Sequence, residues 1–287
     1  MSTDIIAWLC DSGHVATTGQ LQRYFSVRDL RRARESGLIR RLARGIYACT
    51  HIDTPLALAA QTGGRLDCVS SLARHGVWSG LERPGLHLRM EPHQHARRSI
   101  PSAFVHWSGT VQKAHLLEVA PVDAVLQAIR CLGPDDALAC VESALHMKFL
   151  SDDQLDLVFL HAPARLQPIL SGIDRGAQSG YETFARLKLL RAGFAVRTQG
   201  HVPGAGPVDI IVEECVGLEV DGEKWHGPER FLHDRTKDRN AELQGMRMLR
   251  IGGFHVFDDW DTTRAAIRRM VTDAQRGLPA RRPRRRP

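Results

Sequence analysis

The sequence predicts a multidomain α/β (α+β) protein, and three observations carry that expectation. Apolar residues recur at helical spacing in some stretches and as short β-branched runs in others, and the two kinds alternate along the C-terminal third. The first fifty residues read as capped helices followed by a basic hairpin. The length of 287 residues, with 43% hydrophobic and 25% charged side chains, suits two or three soluble domains with separate cores. No apolar run reaches transmembrane length, and MSTDIIAWLCDSGH carries acidic residues and no basic leader. A cytoplasmic protein without a membrane partner is therefore expected.

Residues 1–50 read as a small winged helix-turn-helix. A first helix runs over about Asp4 to Asp11, and Thr17-Thr18 cap a second through Phe25. Ser26 then caps VRDLRRARESG, with Gly37 as its stop. That third helix carries Arg28, Arg31, Arg32 and Arg34, and Val27, Leu30 and Ala33 form a narrow apolar stripe. Gly45 suits the turn of a wing between Ile39-Leu42 and Ile46-Tyr47. The motif G-x-V-A-T-T through G-L-I-R-R-L-A-R-G-I-Y resembles the winged-helix domain of AbiEi-type antitoxins. The resemblance implies a DNA partner, the third helix (Arg28, Arg31, Arg32) in a major groove and Arg40, Arg41 and Arg44 on backbone phosphates. Two other readings stay open at this point: a solvated cationic helix, and a winged helix that binds protein.

Residues 51–172 form a middle α/β region in which no chemistry is expected. Helices are predicted at Pro55 to Gln61, Asp67 to Arg74, Pro121 to Leu132 and Asp135 to Met147, and strands at Leu86 to Met90 and Phe104 to Trp107. The run His93, His95, Arg97, Arg98 reads as an exposed loop, and none of His75, His87, His93, His95, His106 or His115 has metal-ligand spacing. Cys10, Cys49, Cys68, Cys131, Cys140 and Cys215 contain no C-x-x-C pair. They read as reduced structural residues, not as a zinc site or a disulfide framework.

Residues 173–276 carry the chemistry. SGIDRGAQS leads into a helix over Gly180 to Phe194, with Phe184, Leu187, Leu190 and Phe194 predicted on one face. Pro207 to Val212 and Val216 to Val220 read as buried strands. Strand side chains alternate, so Glu219 and Asp221 point the same way and Asp209 can converge on them from a neighbouring strand. A charged helix from Phe231 to Leu243, a strand at Met246 to Ile251 and a last helix from Thr262 to Arg276 complete the order. Clustered carboxylates repel one another, and a hard divalent cation relieves that repulsion. Such a cation polarises a phosphoryl oxygen and lowers the pKa of an attacking water. His226 has the right intrinsic pKa for a general acid or base. Against this stands the plain alternative that strand-end acids and a loop histidine are ordinary solvated groups.

From about Ser179 to Val271 the chain resembles the DUF559 family, a Vsr-like branch of the PD-(D/E)XK nuclease superfamily. The matching residues are Glu182 and Arg186, Gln199, Val208-Asp209, Glu219-Val220-Asp221-Gly222 and Trp225-His226, then Phe231, Asp234-Arg235, Asp238, Gly245 and Leu249-Arg250. The resemblance implies a restriction-endonuclease-like mixed sheet flanked by helices. It also implies a Mg2+ or Mn2+ site of Asp209, Glu219 and Asp221, with Glu182 orienting the metal or its water. His226 would be the acid/base, and Arg235 would meet the phosphate. The middle region resembles the part that joins winged helix to nuclease in DUF559 proteins. One departure stands out: the superfamily's Glu-X-Lys is Glu219-Val220-Asp221 here, and Lys224, Arg235 and His226 are the candidate replacements. The expected function is a metal-dependent DNA endonuclease or nickase. The alternative is a noncatalytic regulator of the AbiEi antitoxin type, with a toxin or defence-system partner. RNA stays open as a substrate because the metal chemistry is the same.

Bulk charge adds little to this. The net charge is +7, but Arg281, Arg282, Arg284, Arg285 and Arg286 supply five of those charges in a Pro-interrupted tail (277–287) expected to be disordered.

Overall fold

The computed structural model describes residues 2–82, 85–93, 96, 100–221, 237 and 239–278. His226, Arg235, most of the charged helix expected from Phe231, the His95–Arg98 loop apart from Ala96, and the arginine tail lie outside the described residues. The chain is mixed α/β, with three small sheets and no barrel among the described residues. It divides into two compact units: Met1–Cys131 with Phe149–Ala164, and Leu132–Lys148 with Arg165–Pro287. No helix among the described residues is long and apolar enough to cross a membrane.

The first unit opens with α1 (Ser2–Asp11), β1 (Val15–Thr17), α2 (Thr18–Leu21), α3 (Val27–Glu35), β2 (Ile39–Ala43) and β3 (Ile46–Cys49), the element order of a winged helix. Reciprocal capping boxes start the second and third helices. Thr17 exchanges hydrogen bonds with Gln20, and Ser26 with Asp29. The strands order β1-β3-β2, and Gly45, with φ of 77°, turns the β2–β3 hairpin. Ile5, Leu9, Leu21, Leu30, Ala33 and Ile39 form the core. Val27 departs from its predicted stripe and is 67% exposed, because it sits in the first turn of α3 beyond the edge of that core.

The same unit continues with α4 (Thr54–Thr62), β4 (Arg65–Leu66), α5 (Cys68–Arg74), β5 (Leu86–Met90), β6 (Ala103–Trp107) and α6 (Pro121–Cys131). Asp53 caps α4 and Asp67 caps α5. The sheet orders β4-β5-β6, with β4–β5 antiparallel and β5–β6 parallel. Beneath it the fully buried Arg89 bridges Asp67 at 2.8 Å and Asp123 at 2.9 Å. A buried cation held between two carboxylates is costly to break, because any one deletion leaves an unpaired charge.

The second unit begins with α7 (Pro134–His146). The helix after it, α8 (Asp152–His161), returns to the first unit. Next come α9 (Gln167–Leu170), α10 (Gly180–Arg191), β7 (Val196–Val202), β8 (Gly206–Val212), β9 (Val216–Asp221), β10 (Arg247–Gly252), α11 (Gly253–Phe257) and α12 (Trp260–Gln275). The sheet orders β10-β9-β8-β7: three successive antiparallel strands, with β10 parallel to β9. Strand β7 is an addition to the sequence reading. Its Gln199-Gly200-His201 stretch breaks the apolar signature, and Gly200 is required because a Cβ there would collide with Ile211.

Helix α10 buries most of its predicted face, with Phe184 and Phe194 buried and Leu187 half-buried, but Leu190 is exposed, and the buried surface extends to Glu182, Thr183, Ala185, Arg186 and Leu189. The reason is polar. Glu142 of α7, itself buried, accepts from Thr183 Oγ1 at 2.6 Å and from Arg186 Nη2 at 2.5 Å. It also accepts from the backbone N–H of Asp174 at 2.7 Å. That network ties the N-terminal half of α10 to α7 and to the loop before it.

Candidate active site

The carboxylates form a row because of strand register. Ile210 pairs with Leu218, and Leu218 with Leu249, so the next level along the sheet holds Asp209, Glu219 and Arg250. Gln199 falls at this level too, between the pairs Thr198–Ile210 and Gly200–Val208. The ladder opens here. Asp209 Oδ2 accepts from the backbone N–H of Val220 at 2.8 Å, so a side chain replaces a strand carbonyl. Gln199, with φ of 47°, has left the extended conformation, and its Nε2 donates to Glu182 Oε2 at 3.3 Å. It also hydrogen-bonds Asp209, which ties the helix acid to the strand acid.

Glu182 is held by its own helix start. Ser179 caps α10 and donates its hydroxyl to Glu182 Oε1 at 2.9 Å, and the N–H of Gln178 donates to Oε2 at 3.0 Å. Burial, with the charge of Asp209 adding to it, lifts the Glu182 pKa to about 7 against those hydrogen bonds. Burial is also the main cause that raises Asp209, where Asp221 adds repulsion and Lys237 opposes it. Glu219 is raised by burial and by Asp209, against Lys237 Nζ, which donates to its Oε1 at 2.6 Å. The sequence reads Lys237, with Arg235 and Arg239, as a cation of the charged helix that could line a substrate channel, but no spacing marks its pairing with Glu219, because it lies sixteen positions beyond Asp221.

The four acids interact electrostatically, yet among the described residues no three carboxylates bring one oxygen each within 4.8 Å of one another. Cysteine and histidine side chains do meet that condition. One group is Cys68, His87, His106 and Cys131, and the other is Cys10, Cys49 and His51. The sequence spacing of these cysteines and histidines gives no sign of either group, which only the folded chain brings together. Their separations in sequence are long, and only the packing of β5, β6, α5 and α6 joins the first group.

On α3 and the β2–β3 hairpin, Arg28, Arg31, Arg32, Arg40, Arg41 and Arg44 are all exposed. Arg31 pairs with Glu35 at 2.8 Å, and Arg41 Nε donates to the Ala43 carbonyl at 3.2 Å. Tyr24, 66% exposed and close to Trp8, and Val27 add apolar surface beside the start of α3.

No family model matches the chain, and no curated protein matches it. Among solved structures, one similar chain is described as the RV2827C protein from Mycobacterium tuberculosis. It has 15% identity, covers 64% of this chain and 80% of that one, and superposes with a TM-score of 0.29. A likeness that weak carries no argument about fold or function.

Proposed function

We propose that the C-terminal unit is a divalent-metal-dependent nuclease acting on DNA, directed by the winged helix. The observation that carries this reading is the level row Gln199, Asp209 and Glu219, with Glu182 above it and Lys237 on Glu219. Buried acids that raise one another's pKa are a poor design for stability and a good one for a cation. Mg2+ takes one or two carboxylates and keeps waters and substrate phosphate as its other ligands. Asp209 and Glu219 fit that donor set, with Asp221 beside them, although the carboxylates do not close into a three-ligand cage. When bound, the ion would polarise the phosphoryl oxygen and acidify a water. Gln199 and Ser179 hold the Glu182 carboxylate in place beside the row, one on each oxygen. Lys237 lies where an ammonium can stabilise charge developing on the phosphate, the task of the absent Glu-X-Lys lysine. DNA as the target rests on the six exposed arginines of α3 and the wing, which suit backbone phosphates.

Purified protein incubated with supercoiled, linear, mismatched and single-stranded DNA, with Mg2+ or Mn2+, tests this. Cleavage that EDTA stops and that Asp209→Asn lowers by at least about a hundredfold is the expected result. Cleavage retained in Asp209→Asn would remove the assigned site. Binding without cleavage of any substrate would favour the noncatalytic regulator, for which the missing cage and the Asp221 substitution speak.

A further inference from the structure

We propose that Cys68, His87, His106 and Cys131 form a structural Zn2+ site in the N-terminal unit, separate from the carboxylate row. One ligand atom from each lies within 4.8 Å of the others. Two thiolates with two imidazoles are the donor set of closed, tetrahedral zinc sites, and their two negative charges neutralise the dication.

The ligands come from four elements that the fold brings to one corner. Cys68 is the first residue of α5 and Cys131 the last of α6, two helices that pack on each other. His87 pairs with Phe104, and Arg89 with His106, across the parallel strands β5 and β6. Period-two alternation then puts His87 and His106 on the same face of the sheet. His87 Nδ1 and His106 Nε2 are 3.0 Å apart, close to the edge of about 3.3 Å that two nitrogens span around tetrahedral zinc. The two thiols are hydrogen-bonded to each other.

The surroundings are built for ligands. Gln127 Nε2 donates to Cys131 Sγ at 3.3 Å, a contact that steadies a metal-bound thiolate. The Phe104 ring stacks on His87 with centroids 4.9 Å apart, which fixes the plane of the imidazole. Cys68 has φ of 54°, a left-handed backbone that a residue with a Cβ rarely adopts at a helix start. That conformation aims its thiol at the corner. Cys68 and His87 are buried, His106 is half-buried and Cys131 is exposed, which gives an ion a way in from one side only. All four positions are filled by protein, so the site has no open coordination for substrate, and its role is to pin the edge strand β6 to both helices.

The full-length chain, prepared without an affinity tag of histidines and kept reduced, tests this by metal analysis. About one equivalent of zinc should copurify. Exchange into Co2+ should give thiolate charge-transfer and tetrahedral d–d absorption. Cys131→Ser and His106→Gln should each lower zinc by one equivalent relative to the parent, with the helical circular dichroism retained. Stripping the metal should lower the melting temperature by on the order of 10 °C, restored by Zn2+ and not by Mg2+. The proposal is overturned by a chain that binds no zinc, by zinc that both variants retain, or by a Cys68–Cys131 disulfide in its place.

Discussion

The two units hold charge in opposite ways. In the N-terminal unit Arg89 lies sealed between Asp67 and Asp123, and the cysteine–histidine corner next to it is filled by its own four side chains. In the C-terminal unit Asp209, Glu219 and Asp221 are only half-buried and mutually repelling, with Lys237 hydrogen-bonded to Glu219 and Arg250 adding a favourable charge. A closed set of charges resists change and holds elements in place. An open set with an excess of one sign has work left for a ligand. The difference separates a framework from a candidate reaction centre without reference to any relative.

The contrast breaks most severely at Arg89. Arg89→Met strands two buried carboxylates, and urea denaturation should show a loss of about 3–5 kcal/mol. A loss under 1 kcal/mol would mean that the cluster is not the framework.

Acid pH sharpens the contrast in two windows. Glu182 is raised from 4.5 to about 7, so its contribution to stability is complete below about pH 4.5 and is lost as pH rises through 7. Asp67 is raised from 3.8 to about 6, with the same sign and a lower window. Without divalent ions, stability should therefore fall between about pH 4 and 7, by up to about 3 kcal/mol from Glu182. Glu182→Gln should flatten the upper part of that curve, as read by denaturant midpoints at each pH. A slope unchanged in the variant would contradict the assignment.

A smaller barrier term belongs to Lys237. Lys237→Met should cut cleavage by about a hundredfold, or about 2.7 kcal/mol, while leaving metal binding measurable by calorimetry. Full activity in this variant would return the search for the missing cation to Lys224 and its neighbours.

The arginines of the winged helix come last on the stability scale. Neutralising Arg31, Arg32 and Arg41 should change stability by less than about 1 kcal/mol, since the Arg31–Glu35 pair is exposed. The same variant should bind DNA more weakly, with a shallower dependence on salt. Equal affinity at every salt concentration would take the wing out of the interface.

Local signals explain what the sequence made legible. The caps at Thr17 and Ser26 and the apolar runs at β8 and β9 are short-range features: the helix after Ser26 and both strands form where they were expected, whereas the helix after Thr17, expected to reach Phe25, ends at Leu21. Alternation likewise anticipated that Glu219 and Asp221 share a face. Strand β7 was hidden by Gln199 and His201, and the burial of Thr183 and Arg186 on α10 by Glu142, whose contact with Arg186 spans 44 residues. The cysteine–histidine corner was hidden for the same reason, because residues 68 to 131 must fold before its ligands meet. Chemistry assembled across elements leaves no periodicity to read.

The opening of the β8–β9 ladder gives the molecule its own indicator. Because the Val220 amide donates to Asp209 and not to a strand carbonyl, its proton resonance should follow the charge state of that carboxylate. A titration with Mg2+, watched at this one peptide group by heteronuclear NMR, would register an ion arriving at the row before any substrate is added.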